Sequence, residues 1–257
     1  MLLAIDIGNS EVTVGLFKEK ELKGEWRVSS DLDKTPDEYG ILISALLKSN
    51  GFTSTRISGV ILSSVVPRLT SVFQNISEKY FSIMVPMQVT HRLETGLNIQ
   101  YDRPEEIGVD RIVNATAAYH LYGGPVVIVD LGTATTFCVV SEKGEYLGGA
   151  IAPGLNLSLE ALYSHAAKLP RIKIAKPSCV IGKDTHSSVQ SGSVFGYVGL
   201  IDGMVRRIHH EIGSKAHVIG TGGLAKLIAS ECETISHVRQ TLTLEGLMII
   251  YGMNRNS

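Results

Sequence analysis

Hydrophobic and polar residues alternate at the start of the chain in a pattern that predicts a β-hairpin. Leu2–Phe17 contains an apolar strand, a tight polar turn at Gly8 and Asn9, and a second alternating strand. Gly24–Ser29 has the length and composition of a further strand. We therefore expect the chain to open with antiparallel β-structure.

A helix is predicted next, followed by a strand and a second helix. Thr35 is the expected N-cap of the first helix, because Pro36 and two acidic residues follow it and apolar residues then recur at helical spacing. Ile57–Ser63 predicts a buried strand, and a further helix is expected after Pro67. This half of the chain thus has the element order β-β-β-α-β-α.

The second half begins with the same strand–turn–strand pattern, over Pro125–Val140. Asp6 and Asp130 end the first strands of the two halves and lie 130 − 6 = 124 residues apart, close to half the length of 257 residues. Gly8 and Gly132 keep the same spacing. We interpret this as duplication of a β-β-β-α-β-α lobe, which predicts an α/β fold in which two lobes close around a cleft. The predicted lobes are 1–115 and 116–257, with a hinge near 113–122.

Composition limits the classes of function. Hydrophobic residues make up 44% of the chain and charged residues 19%, which is typical of a globular protein. A net charge of −1 without a Lys/Arg run gives no support for a nucleic-acid partner. No apolar run approaches the roughly 18 residues that span a bilayer. The 3 cysteines are widely spaced and show no zinc-ligand pattern. We expect a cytoplasmic protein with reduced cysteines.

The two acidic turns are candidate phosphate-binding sites. A strand that ends in Asp-hydrophobic-Gly and continues with Asn, Ser or Thr exposes main-chain N–H groups and hydroxyls at the tip of a hairpin. Asp6 and Asp130 would repel phosphate unless a cation lies between carboxylate and phosphate. An ordinary hairpin explains one such turn well, but two matched turns favour a ligand site.

Two further segments carry candidate chemistry. His217–Ala225 reads HVIGTGGLA, a strand, a glycine-rich turn and a helix start, which allows a phosphate or a flat ring to approach closely. Gly108–Arg111 reads GVDR and precedes an apolar helix. Asp110 there is either a helix cap, part of a solvated ion pair with Arg111, or a general base for a hydroxyl substrate. As an ionised base it would have an ordinary pKa of about 4.

Taken together, these segments closely resemble the type III pantothenate kinases, members of the actin/Hsp70/sugar-kinase superfamily, over the whole chain. Ile5–Ser10 resembles the first phosphate motif of the family and Asp130–Thr136 the second, while Gly108–Arg111 resembles its pantothenate-binding and catalytic segment. Gly148–Ile172 also follows the family, and His217–Ala225 occupies the position of its adenosine motif. The resemblance implies two ribonuclease H-like lobes around a central nucleotide cleft.

The resemblance also implies an activity and a set of site residues. The activity is direct in-line phosphorylation of pantothenate by ATP to 4'-phosphopantothenate, the first step of coenzyme A biosynthesis, with Asp110 as general base. Thr185 would reach pantothenate from the neighbouring subunit of a homodimer. The implied pantothenate pocket comprises Tyr101, Gly108, Val109, Asp110 and Arg111.

ATP and two cations complete the implied site. Asp6 would help to place Mg²⁺ through its water shell, and Asp130 would hold a monovalent cation, K⁺ or NH₄⁺. The implied ATP-binding residues are Asp6, Ile7, Gly8, Asn9, Ser10, Glu11, Val12, Thr13, Thr133, Gly220, Gly222 and Gly223.

Three other functions fit parts of the pattern. A sugar or acetate kinase of the same superfamily would share both phosphate turns but would leave the GVDR segment unexplained. An ATP-binding regulator would bind nucleotide without turnover. An actin-like filament or chaperone module is disfavoured, because the chain is short for the additional subdomains of those proteins.

Overall fold

The fold was analysed in a computed structural model, which describes residues 1–166 and 168–255. Ala167, which falls within the Gly148–Ile172 segment, and the last two residues lie outside the described residues. The chain divides into two compact units. Unit 1 comprises Met1–Leu97, Asp102–Ala117 and the segment from Leu242 onward, and unit 2 comprises Asn98–Tyr101 and Ala118–Thr241.

A five-stranded sheet in the order β3-β2-β1-β4-β5 organises unit 1. The predicted hairpin pairs β1 with β2 in antiparallel register, and β4 pairs with β1 in parallel register. The third strand is longer than predicted because its pairing with β2 continues through a bulge to Glu21. The strands are β1 (Leu2–Ile7), β2 (Glu11–Lys18), β3 (Glu21–Ser29), β4 (Gly59–Ser64) and β5 (Met87–Gln88).

Helices cover both faces of this sheet. Helix α1 (Pro36–Ser49) begins as predicted, with Thr35 and Glu38 forming a reciprocal capping box. With α2 (Pro67–Phe81) it covers the face that carries Leu3, Ile5 and Ile7. The opposite face, which carries Leu2 and Ala4, packs against Val113 of α3 and against α7. Helices α3 (Val109–Tyr122) and α7 (Leu242–Asn254) are joined by a hydrogen bond from Thr243 Oγ1 to Asn114 Oδ1 of 2.7 Å.

Unit 2 contains a six-stranded sheet in the order β11-β10-β7-β8-β9-β6. Its first two long strands form the second predicted hairpin, with β10 parallel to β7. The strands are β6 (Asn98–Ile99), β7 (Val126–Leu131), β8 (Ala134–Val140), β9 (Glu145–Pro153), β10 (His217–Thr221) and β11 (His237–Val238). The helices are α4 (Leu155–His165), α5 (Thr185–Glu211) and α6 (Ala225–Ala229). Apolar residues of β7 and β8 pack against all three helices.

The two sheets share one strand order and one set of directions. The series β3-β2-β1-β4-β5 corresponds to β9-β8-β7-β10-β11, with antiparallel and parallel pairs at matching positions. This confirms the predicted duplication of a β-β-β-α-β-α unit. The boundary between 115 and 116 stays a prediction. The compact units divide close to it, between Ala117 and Ala118 inside α3, and α7 belongs to unit 1.

Candidate functional site

The first acidic turn connects β1 to β2 at the edge of the unit 1 sheet. The Gly8 N–H donates to the Glu11 carbonyl at 3.0 Å, and Ser30 donates to the carbonyls of Gly8 and Ser10 from behind the turn. Asn9 and Ser10 are exposed at its tip. These contacts hold the turn by its carbonyl groups, which suits a loop whose N–H groups and side chains face a ligand.

Two of the predicted ATP-binding residues contribute no side chain to the turn surface. Ile7 and Val12 are fully buried in the core beside α1 and α2. Only their main-chain groups could contact a phosphate. Asp6 and Thr13, which are paired across β1 and β2, are half-buried on the opposite face of the sheet.

A row of polar residues crosses that face of the sheet beside the turn. Asp6 pairs with Thr13 on β2 and with Ser63 on β4, and Thr13 pairs with Arg27 on β3. Paired residues project from the same face of a sheet, so these side chains are neighbours. Ser63 is 0% exposed, and its Oγ has no hydrogen-bond partner among the described residues. Sequence reasoning missed Ser63 because pairing between distant strands leaves no local signal.

The first turn of α3 carries the predicted general base. Asp110 is half-buried, and its Oδ1 accepts a hydrogen bond from the Arg111 main-chain N–H at 2.9 Å. A Cβ on Gly108 would lie 2.5 Å from that oxygen, so glycine at this position leaves the space that the carboxylate occupies. Arg111 is buried, with 7% of its surface exposed. A solvated ion pair is therefore the wrong interpretation of Asp110 and Arg111.

The sequence led us to expect an ordinary pKa for Asp110, and the structure shows that this expectation is wrong. Burial raises the pKa of the carboxyl, and the Arg111 N–H and the Arg111 charge lower it by less. A carboxylate with a raised pKa accepts a proton more readily than an exposed aspartate does, provided that it is still ionised at the working pH.

The second acidic turn, between β7 and β8, is surrounded by main chain. Asp130 pairs with Thr136 on β8 and with Thr221 on β10. Gly222 has a φ of +92°, and a Cβ there would lie 2.5 Å from Asp130 Oδ1 and 2.7 Å from the main chain of Leu131. The glycine-rich turn after β10 therefore packs directly on the Asp130 carboxylate.

The segment after β9 supports the same turn. The Gly154 N–H donates to the Thr133 carbonyl at 3.1 Å, and a Cβ on Gly154 would overlap the carbonyl groups of Gly132 and Thr133. Tyr197 of α5 also contacts this region, because its hydroxyl forms hydrogen bonds with Thr135 Oγ1 and with the Pro153 carbonyl. The segment from Ala152 to Gly154 thus has a structural role beside the second turn that sequence reasoning did not identify.

The other predicted nucleotide-binding residues of unit 2 lie near this turn. Thr133 is exposed at its tip. Gly220 and Gly223 differ in their surroundings: a Cβ would lie 3.3 Å from Ile235 at Gly220, and would meet nothing within 4 Å at Gly223. Of the glycines in this motif, Gly222 is the one that the local structure requires, and Gly223 leaves space for a ligand.

Tyr101 and Thr185 lie in two further parts of unit 2. The Tyr101 ring packs against Tyr146 with 6.3 Å between ring centroids, and it lies over Gly148 of β9. Thr185 is exposed in the first turn of α5, which Asp184 caps by accepting from the Ser187 N–H at 2.8 Å. Within each unit, then, some predicted residues come together: the first turn with the polar row in unit 1, and Asp130, Thr133 and the glycine turn in unit 2.

Oxygen groups are the candidate cation ligands in both units. Among residues 1–166 and 168–255 there is no group of three or more His, Cys, Asp and Glu side chains that could hold a metal ion. A cation at Asp6 or Asp130 would therefore share its coordination with hydroxyls, main-chain carbonyls, water or phosphate. None of the helices in this part of the chain is long and apolar enough to cross a membrane.

Comparison with protein families gives a match over most of the chain. A model of the family described as type III pantothenate kinase matches residues 2–207. That range includes both acidic turns, the GVDR segment and Thr185. The glycine-rich turn after β10 lies outside it.

Solved structures match over nearly the full length at low identity. A Campylobacter jejuni protein assigned to the Baf family of transcriptional activators is 20% identical, with 99% of this chain and 100% of that chain covered and a TM-score of 0.62. The activator of 2-hydroxyisocaproyl-CoA dehydratase from Clostridium difficile, with bound ADPNP, is 14% identical over 99% and 94%, with a TM-score of 0.54.

A third solved structure is the inorganic polyphosphate/ATP-glucomannokinase from Arthrobacter sp. strain KM. It is 14% identical over 100% of this chain and 99% of that chain, with a TM-score of 0.50. At such identities the likeness concerns the fold alone. It agrees with the predicted fold class of two ribonuclease H-like units, while the predicted nucleotide cleft between them stays a prediction.

Proposed function

The chain belongs to the type III pantothenate kinase family, and we propose that it transfers the γ-phosphoryl group of ATP directly to the primary hydroxyl of pantothenate, with Asp110 as general base. Family membership makes the protein a kinase of coenzyme A biosynthesis that uses pantothenate and ATP. The direct in-line course of the transfer and the roles of individual residues are the proposal.

The environment of Asp110 is the observation that carries the proposal. Its carboxylate is held at the start of α3 by the Arg111 N–H, and burial raises its pKa. A general base needs a fixed orientation and a pKa closer to the working pH than that of an exposed aspartate. Phosphoryl transfer asks the protein mainly for positioning and charge neutralisation. The guanidinium of Arg111, a buried residue, would bind an anionic group such as the carboxylate of pantothenate.

The first turn supports a role in binding the phosphates of ATP. In this proposal the phosphates lie against the turn from Asp6 to Thr13, where the exposed residues Asn9 and Ser10 offer donors to phosphate oxygens. The Asp6 carboxylate and the unpartnered Ser63 hydroxyl beside it are hard oxygen ligands that fit a hydrated Mg²⁺. Mg²⁺ bound there would neutralise charge on the β- and γ-phosphates.

Asp130 supports a different cation site. The main chain of Gly222 packs on its carboxylate, and Thr136 and Thr221 are its partners on the neighbouring strands, so one carboxylate, hydroxyls and main-chain carbonyls are the available ligands. We propose a monovalent cation, K⁺ or NH₄⁺, at this position, with Thr133 contacting ATP. Gly220, Gly222 and Gly223 would approach the adenosine, and here the open space at Gly223 is the supporting observation.

The pantothenate pocket is proposed to contain Tyr101 and the segment from Gly108 to Arg111. Val109 is half-buried and packs against the core of unit 1. Thr185 is exposed at a helix start, which leaves its hydroxyl available to a neighbouring subunit. We propose a homodimer in which Thr185 completes the pantothenate site of the partner.

A coupled assay of ATP turnover, with and without pantothenate and in K⁺ or Na⁺ buffer, tests the proposal. We expect turnover that requires pantothenate and is faster in K⁺. Turnover with a hexose or acetate and none with pantothenate would replace the substrate. ATP binding without turnover on any acceptor would favour a regulator and would contradict the proposal.

A further inference from the structure

The Ser63 hydroxyl is a buried polar group that the fold itself does not explain. Ser63 is 0% exposed, and its Oγ has no hydrogen-bond partner among the described residues. A buried hydroxyl without a partner destabilises a folded protein, and such groups are rare in native structures. Its neighbour Ser64 shows the ordinary case, because Ser64 Oγ accepts from Thr70 Oγ1 at 2.7 Å and from the Val66 N–H at 3.1 Å.

The position of Ser63 connects it with the proposed nucleotide site. Ser63 is the parallel-strand partner of Asp6, and paired residues project from the same face about 4.8 Å apart. Asp6 in turn pairs with Thr13 on its other side. The unpartnered Oγ therefore lies in a row of oxygen-bearing side chains at the carboxyl ends of two parallel strands, the end at which α/β sheets bind ligands.

We propose that Ser63 is a positioning residue for the divalent cation of the nucleotide, a role that rests on the proposed function of Asp6. In this proposal the Ser63 hydroxyl and the Asp6 carboxylate hold one water of the hydrated cation in common. A water that bridges two protein groups contributes nearly as much as a direct hydrogen bond. Binding of the nucleotide with its cation then supplies the partner that Ser63 lacks in the protein alone.

A structural water is the competing explanation for an orphaned hydroxyl. A buried water bonded to Ser63 would stabilise the protein in the absence of nucleotide, and loss of that water would lower the thermal stability of the nucleotide-free protein. The proposal makes the opposite prediction, because a hydroxyl without a partner in the free protein contributes nothing to stability that alanine would remove. The two explanations therefore differ in both thermal stability and cation dependence.

The test compares Ser63→Ala with Ser64→Ala, a matched control on the adjacent residue of the same strand. Isothermal titration measures ADP binding in excess EDTA and over a series of Mg²⁺ concentrations, and thermal unfolding is recorded without nucleotide. For Ser63→Ala we expect ADP affinity in EDTA to be unchanged. The Mg²⁺ concentration needed for half of the cation-dependent gain in affinity should rise about two- to tenfold, the range of one neutral hydrogen bond. The Tm should be unchanged or higher.

Ser64→Ala should behave in the opposite way, with a lower Tm and the Mg²⁺ dependence of the wild type. A lower Tm of Ser63→Ala together with unchanged Mg²⁺ dependence would overturn the proposal in favour of a structural water. If wild-type ADP binding does not respond to Mg²⁺ at all, the assignment of Asp6 fails as well. Pantothenate-dependent turnover of the wild type separates that failure from one that concerns Ser63 alone.

Discussion

Asp6 and Asp130 occupy equivalent positions in the two units, since each is the penultimate residue of the first strand of its hairpin and pairs with a parallel strand, at Ser63 and at Thr221. The next residue on the parallel strand differs. Unit 2 has Gly222, whose main chain packs on the Asp130 carboxylate. Unit 1 has Ser64, whose side chain bonds back to its own loop.

This difference gives the two equivalent carboxylates different surroundings. Main chain packed against a carboxylate, as Gly222 is against Asp130, leaves less room for a hydrated cation on that side. A carboxylate beside an unpartnered hydroxyl, as at Asp6, suits a cation that keeps its water. The proposed hydrated Mg²⁺ at Asp6 and the proposed monovalent cation at Asp130 rest on this difference.

The largest expected effect follows from replacing the proposed base. Asp110→Asn should lower pantothenate-dependent turnover by roughly 10²–10⁴, the usual contribution of a general base. The fold should persist, because Asn can still accept from the Arg111 N–H. Steady-state kinetics of purified protein would measure the change. Asp102→Asn, at an exposed carboxylate of the same region, is the matched control and should keep wild-type turnover. An active Asp110→Asn enzyme would remove Asp110 from the mechanism.

The second effect concerns the packing that distinguishes the two turns. Gly222→Ala should destabilise the protein by about 2–4 kcal/mol, because its Cβ would collide with the Asp130 carboxylate and its φ is left-handed. The shift of the urea unfolding midpoint would measure this loss. Gly223→Ala, where a Cβ meets no neighbour, should cost far less. Equal stability of the two variants would mean that the Gly222 main chain does not pack on Asp130.

The outline of both turns was predictable from the sequence, and their surroundings were not. The spacing of Asp6 and Asp130 and the alternating strands beside them are local patterns, and the predicted hairpins are confirmed. The approach of Gly222 to Asp130 depends on the pairing of strands about 90 residues apart, and the orphaned Ser63 on a similar long-range pairing. The alternation of apolar and polar residues predicts which face of a sheet a residue lies on. It does not predict which residue pairs with it on the neighbouring strand.

Burial explains the remaining differences. The GVDR segment predicted a functional Asp110, but the expected ordinary pKa was wrong because burial raises the pKa. The helix that carries Asp110 packs at Val113 against the distant C-terminal helix α7. Likewise, α7 lies at the end of the second half of the sequence and yet belongs to unit 1. Such contacts between distant segments depend on the whole fold, which local propensity does not describe.

The third effect tests the cation assigned to the second turn. Asp130→Asn should raise the K⁺ concentration needed for half-maximal turnover by at least about tenfold, since the cation would lose its one charged ligand. The Mg²⁺ dependence of ADP binding should stay at the wild-type value. A K⁺ titration of turnover would measure the first quantity. If Asp130→Asn instead altered Mg²⁺ dependence and left the K⁺ response intact, the two turns would have exchanged the roles inferred here.

The smallest expected effect is on the pH dependence of kcat/KM, which should depend on Asp110 in unit 1 and not on Asp130 in unit 2. Because burial raises the pKa of Asp110, the acid limb of kcat/KM should lie at higher pH than that of an exposed aspartate. The Asp130→Asn variant should keep this limb, and Asp110→Asn should lose it.

The stability of the fold should also depend on the ionisation of Asp110, but in the opposite direction to activity: it should fall as the pH rises. A carboxyl whose pKa is higher in the folded than in the unfolded state binds more protons when folded. Its contribution to stability is therefore fully present below the unfolded pKa, and it is lost as the pH rises through the folded pKa. Asp110→Asn cannot ionise, so its unfolding free energy relative to wild type should increase over that same window and stay higher at neutral pH. Urea unfolding at a series of pH values would measure the difference. If the difference in unfolding free energy between the two proteins stayed constant across the acid range, burial would not raise the pKa of Asp110. The observation that supports Asp110 as a general base would then be lost.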